Sequence, residues 1–415
     1  MPVNKWSLVT VVAAAALAFP ATAAHASPSP TPEPTPPPYD PCPVVALDPP
    51  PQRPEQPEPP RHRLGEREIG GVGLATDGLT VPEGAPDLPD NLSASYWLVA
   101  DLDTGEVLGA CGPHEYAIPA STLKLLLAAT LLDRLDPDEV IEVTHDDLQY
   151  EPGSSAVGLV AGGEYTVETL WLGLLLNSGN DAANVLARIG GGEQGVEGTL
   201  AAMNATARHL GALQTHAATP SGLDGPGQFS SAYDLALITR ALFDREDFSE
   251  YIATLRAEIP AQSSPNARGF EIQNNNRLMF NYAGALGGKT GYTNLARHAY
   301  VGAAERDGRR LVVTLLGAEA RPVRSWQQGA ALLDWGFDMP RHASVGRLVD
   351  PGETAEQTVF IDEGEIGPGS QPAPPQSLGQ VAAVWTAWSV AAVGLVIFVG
   401  AVLLLVIGRI VAGRR

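Results

Sequence analysis

The sequence predicts a domain of the mixed α/β (α+β) class with antiparallel strands, followed by one C-terminal transmembrane helix. Three observations support this prediction: two groups of β-rich segments joined by tight turns, Leu- and Ala-rich helical segments between them, and a long apolar stretch near the end of the chain. The first group pairs residues 95–101 with 106–110 across an Asp-Thr-Gly turn. In the second group, residues 287–293, 299–303 and 311–316 have the pattern of an antiparallel meander.

Helices are predicted at 121–135, 167–176 and 181–189, where apolar residues dominate. These elements all lie within residues 86–338, a length that suffices for one large domain or two closely packed ones. We therefore assign the globular domain to 86–338.

The amino terminus has the order of parts that is typical of a secretory signal peptide. Lys5 precedes the apolar run 6–19, and a small-residue cleavage site follows that ends at Ala26. We expect residues 1–26 to be removed. Residues 27–85 are rich in Pro, which favours extended polyproline II over a packed core, and we interpret them as an extracytoplasmic linker.

Residues 381–407 are uncharged and apolar over a length sufficient to cross a bilayer as a helix. Arginines follow in the short tail 408–415, whereas Trp385 and Trp388 lie near the other end. This asymmetry predicts a cytoplasmic C-terminus and a globular domain at the extracytoplasmic face of the plasma membrane. The Gly-, Pro- and Glu-rich residues 339–380 are interpreted as a stalk. The alternative is a buried core helix at 381–407.

The charge and cysteine content exclude several classes of partner. A formal net charge of −21 argues against nucleic acid and against anionic lipid surfaces. Cys42 and Cys111 are too few, and lack neighbouring His, for a metal site, and no organic cofactor is indicated. In an exported chain these two residues are expected to form one disulfide that ties the linker to the domain.

Lysine is rare in this Arg-rich chain: apart from Lys5, it occurs only as Lys124 and Lys289. Arginine stays protonated in proteins, whereas a desolvated lysine, or one beside another cation, can lose its proton and act as a base. The two positions therefore predict a functional use of lysine. The alternative is that an Arg-rich composition left two lysines at arbitrary places.

Ser121 and Lys124 lie one turn apart on the predicted helix 121–135 and share a face. Lys124 can thus reach the Ser121 hydroxyl, and the serine lies at the positive end of the helix, where a developing anion is favoured. For Lys124 to act as a base near neutral pH, its pKa must fall well below the usual value of about 10.4. The alternative for Ser121 is a simple helix N-cap.

Two further motifs contribute candidates. Ser178 and Asn180 flank a Gly between the helices 167–176 and 181–189, so both side chains can face one cleft; the alternative is a turn in which Asp181 caps the next helix. The candidates Lys289, Thr290, Gly291 and Tyr292 follow two glycines on a predicted edge strand.

An edge strand offers backbone hydrogen bonds to an extended peptide, and its lysine offers a cation to a carboxylate. A phosphate loop is the alternative for the segment around Lys289. It lacks the first Gly of that motif, and a strand follows it where a phosphate loop has a helix.

The motifs Ser-x-x-Lys, Ser-x-Asn and Lys-Thr-Gly occur in this order between a predicted signal peptide and a predicted membrane anchor. Each motif is weak alone, but the combination is highly specific. Over residues 93–337 the chain resembles the penicillin-recognising active-site serine enzymes. Within them it is most similar to the low-molecular-mass penicillin-binding proteins, which are serine-type D-alanyl-D-alanine carboxypeptidases. Supporting stretches lie at 158–159, 165–167, 176–183, 219–223 and 230–236.

The resemblance implies an antiparallel sheet flanked by helices, a mostly helical subdomain, and an active site between them. It implies as substrate a peptidoglycan stem peptide that ends in D-Ala-D-Ala, with β-lactams as covalent inhibitors. The site would face the wall outside a bacterial plasma membrane. Such enzymes need neither a metal nor an organic cofactor.

By the same resemblance, Ser121 would be the nucleophile, Lys124 the general base and Ser178 a proton relay. Asn180 would hold the peptide, and Lys289 with Thr290 would bind the terminal carboxylate, with Gly291 beside them. The backbone N–H groups of Ser121 and Tyr292 would form the oxyanion hole.

The sequence departs from this family at Arg297, where a small Gly is common. Two rival functions remain at this stage. A β-lactamase would need a further base for deacylation, often Glu, and the available Glu193 and Glu197 lie in a Gly-rich context typical of surface. A non-catalytic wall-binding scaffold would be marked by loss of Ser121 or Lys124, and both are present.

Overall fold

The computed structural model describes residues 39–263 and 266–354. Within this part of the chain the longest strands build one central antiparallel sheet, and two small two-stranded sheets accompany it. The strands are β1 Leu79–Thr80, β2 Tyr96–Asp101, β3 Glu106–Cys111, β4 Val140–Glu142, β5 Glu164–Thr166, β6 Arg256–Ile259, β7 Phe270–Gln273, β8 Ala285–Thr293, β9 Arg297–Arg306, β10 Arg309–Ala318 and β11 Gly346–Arg347.

The α-helices of the described residues lie mostly between β3 and β8. They are α1 Lys124–Leu131, α2 Val167–Leu176, α3 Asn180–Gly190, α4 Gly195–Leu210, α5 Ala232–Phe243, α6 Glu246–Ala253, α7 Leu278–Asn281 and α8 Ser325–Asp338. The chain thus leaves the sheet after β3, forms a mostly helical part, and returns to the sheet at β8.

The central sheet has the strand order β1-β3-β2-β10-β9-β8, and β11 pairs with β3. Alternate residues of β2 enter two different cores: Trp97 and Val99 pack on the side of α8, whereas Leu98 and Ala100 pack on the side of α1 and α5. Because both faces are covered, β9 and β10 consist of nearly continuous apolar runs. Strand β8 lies at an edge of the sheet, as the sequence predicted.

The predicted class and most predicted elements are confirmed. The predicted helix 121–135 is wrong at both ends: a 3₁₀ turn covers Ala120–Leu123, and α1 ends at Leu131. The chain beyond α1 is exposed at Asp133 and Arg134 and approaches Pro137, which disfavours helix at the residue before it. Asp181 does not begin its helix as a cap, since α3 already starts at Asn180.

The ordered body extends beyond the predicted boundaries 86 and 338. Strand β1, from the segment interpreted as linker, pairs with β3, and β11, from the segment interpreted as stalk, pairs with β3 as well. Leu74 and Leu348 are buried, so both flanking segments add apolar surface to the core. The predicted disulfide is confirmed: Cys42 and Cys111 are bonded, with their Cα atoms 5.6 Å apart.

The predicted signal peptide 1–26, the membrane helix 381–407 and the tail 408–415 lie outside the described residues, as does most of the predicted stalk. Among residues 39–263 and 266–354, no helix combines the length and apolar character needed to span a bilayer.

Reduction of the disulfide should destabilise the protein. The bond closes a loop of 69 residues, and a cross-link of that span lowers the entropy of the unfolded chain, so we expect a loss of about 2–4 kcal/mol in the free energy of unfolding. Urea unfolding with and without reductant measures this loss. The double variant Cys42→Ser/Cys111→Ser is the control, because reductant should leave it unchanged; equal stability of oxidised and reduced wild type would contradict the prediction.

Candidate active site

All eight predicted site residues converge on one cleft between the edge strand β8 and the helical part. The cleft has a volume of about 310 Å³, and six of the eight line it: Ser121, Ser178, Asn180, Thr290, Gly291 and Tyr292. The remaining two are the lysines. Lys124 is fully buried and Lys289 is 2% exposed.

Ser121 lies in the 3₁₀ turn directly before α1, and Lys124 is the first residue of that helix. The spacing of three residues brings Lys124 Nζ to 2.9 Å from Ser121 Oγ. Lys124 Nζ also lies 2.7 Å from Asn180 Oδ1 and 2.7 Å from the carbonyl oxygen of Ser221. These three oxygens account for the hydrogen-bonding capacity of the amine.

This set of partners suits a neutral amine. The carbonyl oxygens of Asn180 and Ser221 can only accept, so each takes one N–H of Lys124. A neutral amine then has its lone pair left, and the only remaining partner is a hydroxyl that can donate. Lys124 Nζ donates to Ser121 Oγ as an ammonium, and once the amine is neutral its lone pair is free to accept the proton of the Ser121 hydroxyl.

Burial lowers the pKa of Lys124 well below its usual value, and the neighbouring Lys289 lowers it further, against a smaller opposing effect of Asp181. Burial also lowers the pKa of Lys289 to about 7. In the part of the chain that the structure describes, none of the ion pairs involves either lysine. Burial thus lowers the pKa of both amines, and the charge of Lys289 lowers that of Lys124 further.

Ser178 occupies the junction between α2 and α3 in a left-handed conformation, with φ of 62°. Its side chain is buried, and its hydroxyl has no hydrogen-bond partner among residues 39–263 and 266–354. A buried hydroxyl without a partner is costly unless it serves another molecule, so this group is free to act on a ligand in the cleft.

Strand β8 approaches the nucleophile closely through Gly291. A Cβ atom at this position would lie 2.8 Å from the backbone nitrogen of Ser121, so a side chain here would collide with the start of the 3₁₀ turn. The absence of a side chain lets the strand bring Thr290 and Tyr292 to the same cleft as Ser121. Tyr292 is about half exposed, at 49%, and its ring packs against His298 at 4.7 Å between centroids.

Several site residues escaped the sequence analysis. Ser154 accepts a hydrogen bond from Asn180 Nδ2 at 2.9 Å, and the carbonyl of Ser155 accepts from the Asn180 backbone at 2.9 Å. Gly222 allows the Ser221 carbonyl to reach Lys124, because a Cβ there would lie 2.0 Å from the carbonyl oxygen of Ala120. In the sequence these residues are marked only by the turns Pro-Gly-Ser-Ser at 152–155 and Pro-Ser-Gly at 220–222. Turn residues alone do not indicate a functional site.

Asp181 positions the loop that carries Ser154. Its buried carboxylate accepts backbone N–H bonds from Val157, Gly158 and Leu159 at 2.9–3.1 Å. The side chain thus connects the loop to α3, one residue after Asn180. Glu193 and Glu197 are exposed and do not line the cleft. Within residues 39–263 and 266–354, no cluster of three His, Cys, Asp or Glu side chains could hold a metal ion.

A serine in hydrogen-bond contact with a buried lysine, a second, buried serine and an edge strand with a further lysine suit a hydrolase that acts on peptide-like substrates. The comparisons with known proteins specify the family. A family described as D-alanyl-D-alanine carboxypeptidase (Peptidase S11) matches residues 83–320. This span covers more than half of the chain, and the chain therefore belongs to this family of peptidases.

Individual relatives agree. The chain is 46% identical to D-alanyl-D-alanine carboxypeptidase DacB2 of Mycobacterium tuberculosis over 66% of its own length and 91% of the relative. It is 34% identical to DacD of Salmonella typhimurium over 63% of its length and 66% of the relative.

Solved structures show the same fold. A D-alanyl-D-alanine carboxypeptidase from Mycobacterium tuberculosis matches with a TM-score of 0.60 and 44% identity, over 65% of this chain and 100% of that one. The Streptomyces K15 DD-transpeptidase matches with a TM-score of 0.57 and 26% identity, over 61% of this chain and 99% of that one. The mixed α/β fold with an antiparallel sheet is thus that of the DD-peptidases.

The low pKa of both lysines is directly measurable, because the chain from residue 27 onward contains only Lys124 and Lys289. We expect ¹³C-lysine NMR to show two signals that titrate well below the usual range, one of them near pH 7. In the variant Lys289→Gln, the pKa of Lys124 should rise because a repelling charge is gone. A Lys124 signal that titrates near pH 10.5 in both proteins would contradict the prediction.

Proposed function

We propose that this peptidase is a serine-type D-alanyl-D-alanine carboxypeptidase that removes the terminal D-alanine of peptidoglycan stem peptides through an acyl-enzyme on Ser121. The observation that carries the proposal is the hydrogen bonding of Lys124. Two carbonyl oxygens occupy its N–H groups, and its lone pair is left for the Ser121 hydroxyl at 2.9 Å. The site is therefore organised for proton transfer from serine to lysine.

In the acylation step, Ser121 Oγ attacks the carbonyl carbon between the last two D-alanines, and its proton passes to Lys124 Nζ. The oxyanion that forms accepts hydrogen bonds from the backbone N–H groups of Ser121 and Tyr292. The C–N bond then breaks, and Ser178 transfers a proton from the Lys124 ammonium to the departing amine. The buried, unpaired Ser178 hydroxyl supports this role.

In deacylation, water attacks the Ser121 ester, and Lys124 accepts the proton of that water. Ester cleavage then frees the shortened peptide acid and restores the serine hydroxyl. The two steps together exchange one amide for one carboxylic acid and one amine, with water as the only co-substrate.

Lys289 and Thr290 bind the terminal carboxylate of the peptide. Burial lowers the pKa of Lys289 to about 7, whereas a bound carboxylate favours the charged ammonium, so substrate binding raises this pKa. Asn180 contacts the peptide backbone from the opposite side of the cleft. A β-lactam, which carries a carboxylate beside a reactive amide, would acylate Ser121 in the same way.

We further propose that the protein works outside the bacterial plasma membrane, with residues 1–26 as a cleaved leader and 381–407 as a C-terminal anchor. The sequence pattern at both ends supports this placement. Fractionation of cells that carry a tagged chain, followed by protease treatment of spheroplasts, would test it.

Ser121→Ala should abolish release of D-alanine from diacyl-Lys-D-Ala-D-Ala and covalent labelling by a fluorescent penicillin, because both need the same oxygen nucleophile. Mass spectrometry of the labelled wild type should locate the adduct at Ser121. Labelling at another residue would refute the assignment. Sustained turnover of a chromogenic cephalosporin by the wild type, in place of one equivalent consumed, would indicate a β-lactamase instead.

Lys124→Arg should lower the rate of acylation by penicillin by at least about a hundredfold, because arginine cannot supply a neutral lone pair. The rate constant of acylation, measured by stopped-flow fluorescence, reports this step. Lys289→Arg is the matched control: it keeps a cation for the carboxylate and should be less damaging. An acylation rate in Lys124→Arg equal to that of the wild type would disprove the neutral-amine mechanism.

A further inference from the structure

The turn between β8 and β9, residues 294–296, lies between Tyr292 and His298, which line the cleft, and an unusual residue follows it. Arg297 has φ of 57°, which lies in the left-handed region. Gly adopts this conformation without a steric penalty, whereas a residue with a side chain is strained there. A residue with a side chain in this conformation indicates that the side chain contributes contacts that offset the strain.

Arg297 makes those contacts with Glu319 and Tyr292. Its Nη2 lies 2.9 Å from Glu319 Oε2 and its Nε lies 3.2 Å from Oε1, a two-pronged ion pair with a carboxylate that is only 6% exposed. Its Nη1 donates to the Tyr292 hydroxyl at 3.3 Å, and its guanidinium carbon lies 5.7 Å from the centre of the Tyr292 ring. Tyr292 lines the cleft, so Arg297 connects the cleft to Glu319.

Glu319 has a second cationic partner from a distant part of the sequence. Arg53 Nε lies 3.0 Å from Glu319 Oε1, and Arg53 also donates to the carbonyl of Gly317 at 2.9 Å and to Ser95 Oγ at 3.2 Å. Burial of Glu319 acts to raise its pKa, but Arg297 and Arg53 outweigh this effect and lower it. The carboxylate therefore stays charged and joins both arginines.

Arg53 belongs to a Pro-rich segment, residues 42–57, which we name the strap. The strap is bonded to β3 by Cys42–Cys111 at one end, and Val45 donates its N–H to the carbonyl of Leu92 at 2.7 Å. Near its other end, Gln56 Nε2 donates to the carbonyl of Leu295, in the turn itself, at 3.2 Å. A Pro-rich chain loses little entropy when it is held extended, which makes it a suitable brace.

We propose that the strap positions the substrate-binding strand β8. Arg53 acts on Tyr292 through Glu319 and Arg297, and Gln56 holds the turn 294–296 through Leu295. Together these contacts keep the strand in the geometry that the carboxylate end of the peptide needs. Arg53 and Glu319 are thus positioning residues, since neither touches the cleft. The inference rests on the proposed carboxypeptidase function for its kinetic consequence, but its structural consequence is independent of it.

The kinetic experiment compares Arg53→Gln with the wild type on diacyl-Lys-D-Ala-D-Ala. We expect KM to rise about threefold to tenfold and kcat to stay within about twofold, because binding of the carboxylate end is affected and Ser121 with Lys124 is not. Arg53→Lys keeps one cation beside Glu319 and should recover part of the loss. Arg61→Gln is the matched control, since it removes the same charge from the same Pro-rich region without a side-chain contact to Glu319.

The structural experiment measures hydrogen exchange of the amides in 285–297. These should exchange faster in Arg53→Gln and in Glu319→Gln than in the wild type, and at the wild-type rate in Arg61→Gln. Unchanged exchange in both variants would overturn the proposal, whatever the activity. So would a KM in Arg53→Gln equal to that of the wild type, or an equal rise of KM in Arg61→Gln.

The experiments distinguish an error in the proposed function from an error in the proposed role of the strap. A wild type that releases no D-alanine and takes no penicillin label would disprove the carboxypeptidase, and the hydrogen-exchange comparison would still decide whether the strap braces the strand.

Discussion

The burial of Lys124 without a counter-ion is the constraint on which the site depends. A charged ammonium in this position would face only three oxygens, of which none is ionised, and a second buried lysine nearby. The protein therefore stabilises the neutral amine, and in that form the lone pair has a single partner, the Ser121 hydroxyl. The arrangement that satisfies these buried polar groups is also the one that the proposed proton transfer needs.

The fold supplies this environment by bringing distant segments against the 3₁₀ turn. Strand β8 closes one side through the side-chain-free Gly291, and the Ser221 carbonyl reaches the lysine because Gly222 can pass Ala120 at short range. The Asp181 carboxylate holds the loop 157–159, whose neighbours Ser154 and Ser155 fix Asn180 from behind. Lys124 and Asn180 thus have supporting contacts that limit their rotamers.

The segments that flank the core are part of the same design. The segment that follows the strap contributes β1, and the chain after α8 contributes β11, to the sheet edge at β3, at the opposite end from the cleft strand β8. Of these flanking segments, the strap also contacts the side of the sheet near β8. There Arg53 binds the buried Glu319 carboxylate, which also binds Arg297. A segment whose composition alone suggests a loose linker is therefore tied to the strand that borders the substrate site.

The sequence by itself determined the class of the fold, the edge position of β8, the disulfide partners and the eight candidate residues that meet at the cleft, because these depend on local periodicity, on short motifs and on the scarcity of lysine and cysteine. Tertiary structure alone decided the third partner of Lys124, the support of Asn180 by Ser154, and the attachment of the strap at Glu319. These contacts join residues separated by 97, 26 and 266 positions, and pairings of common polar side chains over such distances leave no periodic or compositional trace in a single sequence. The left-handed Arg297 belongs to the same group, because its contacts with Glu319 and Tyr292 offset a conformation that its sequence does not favour.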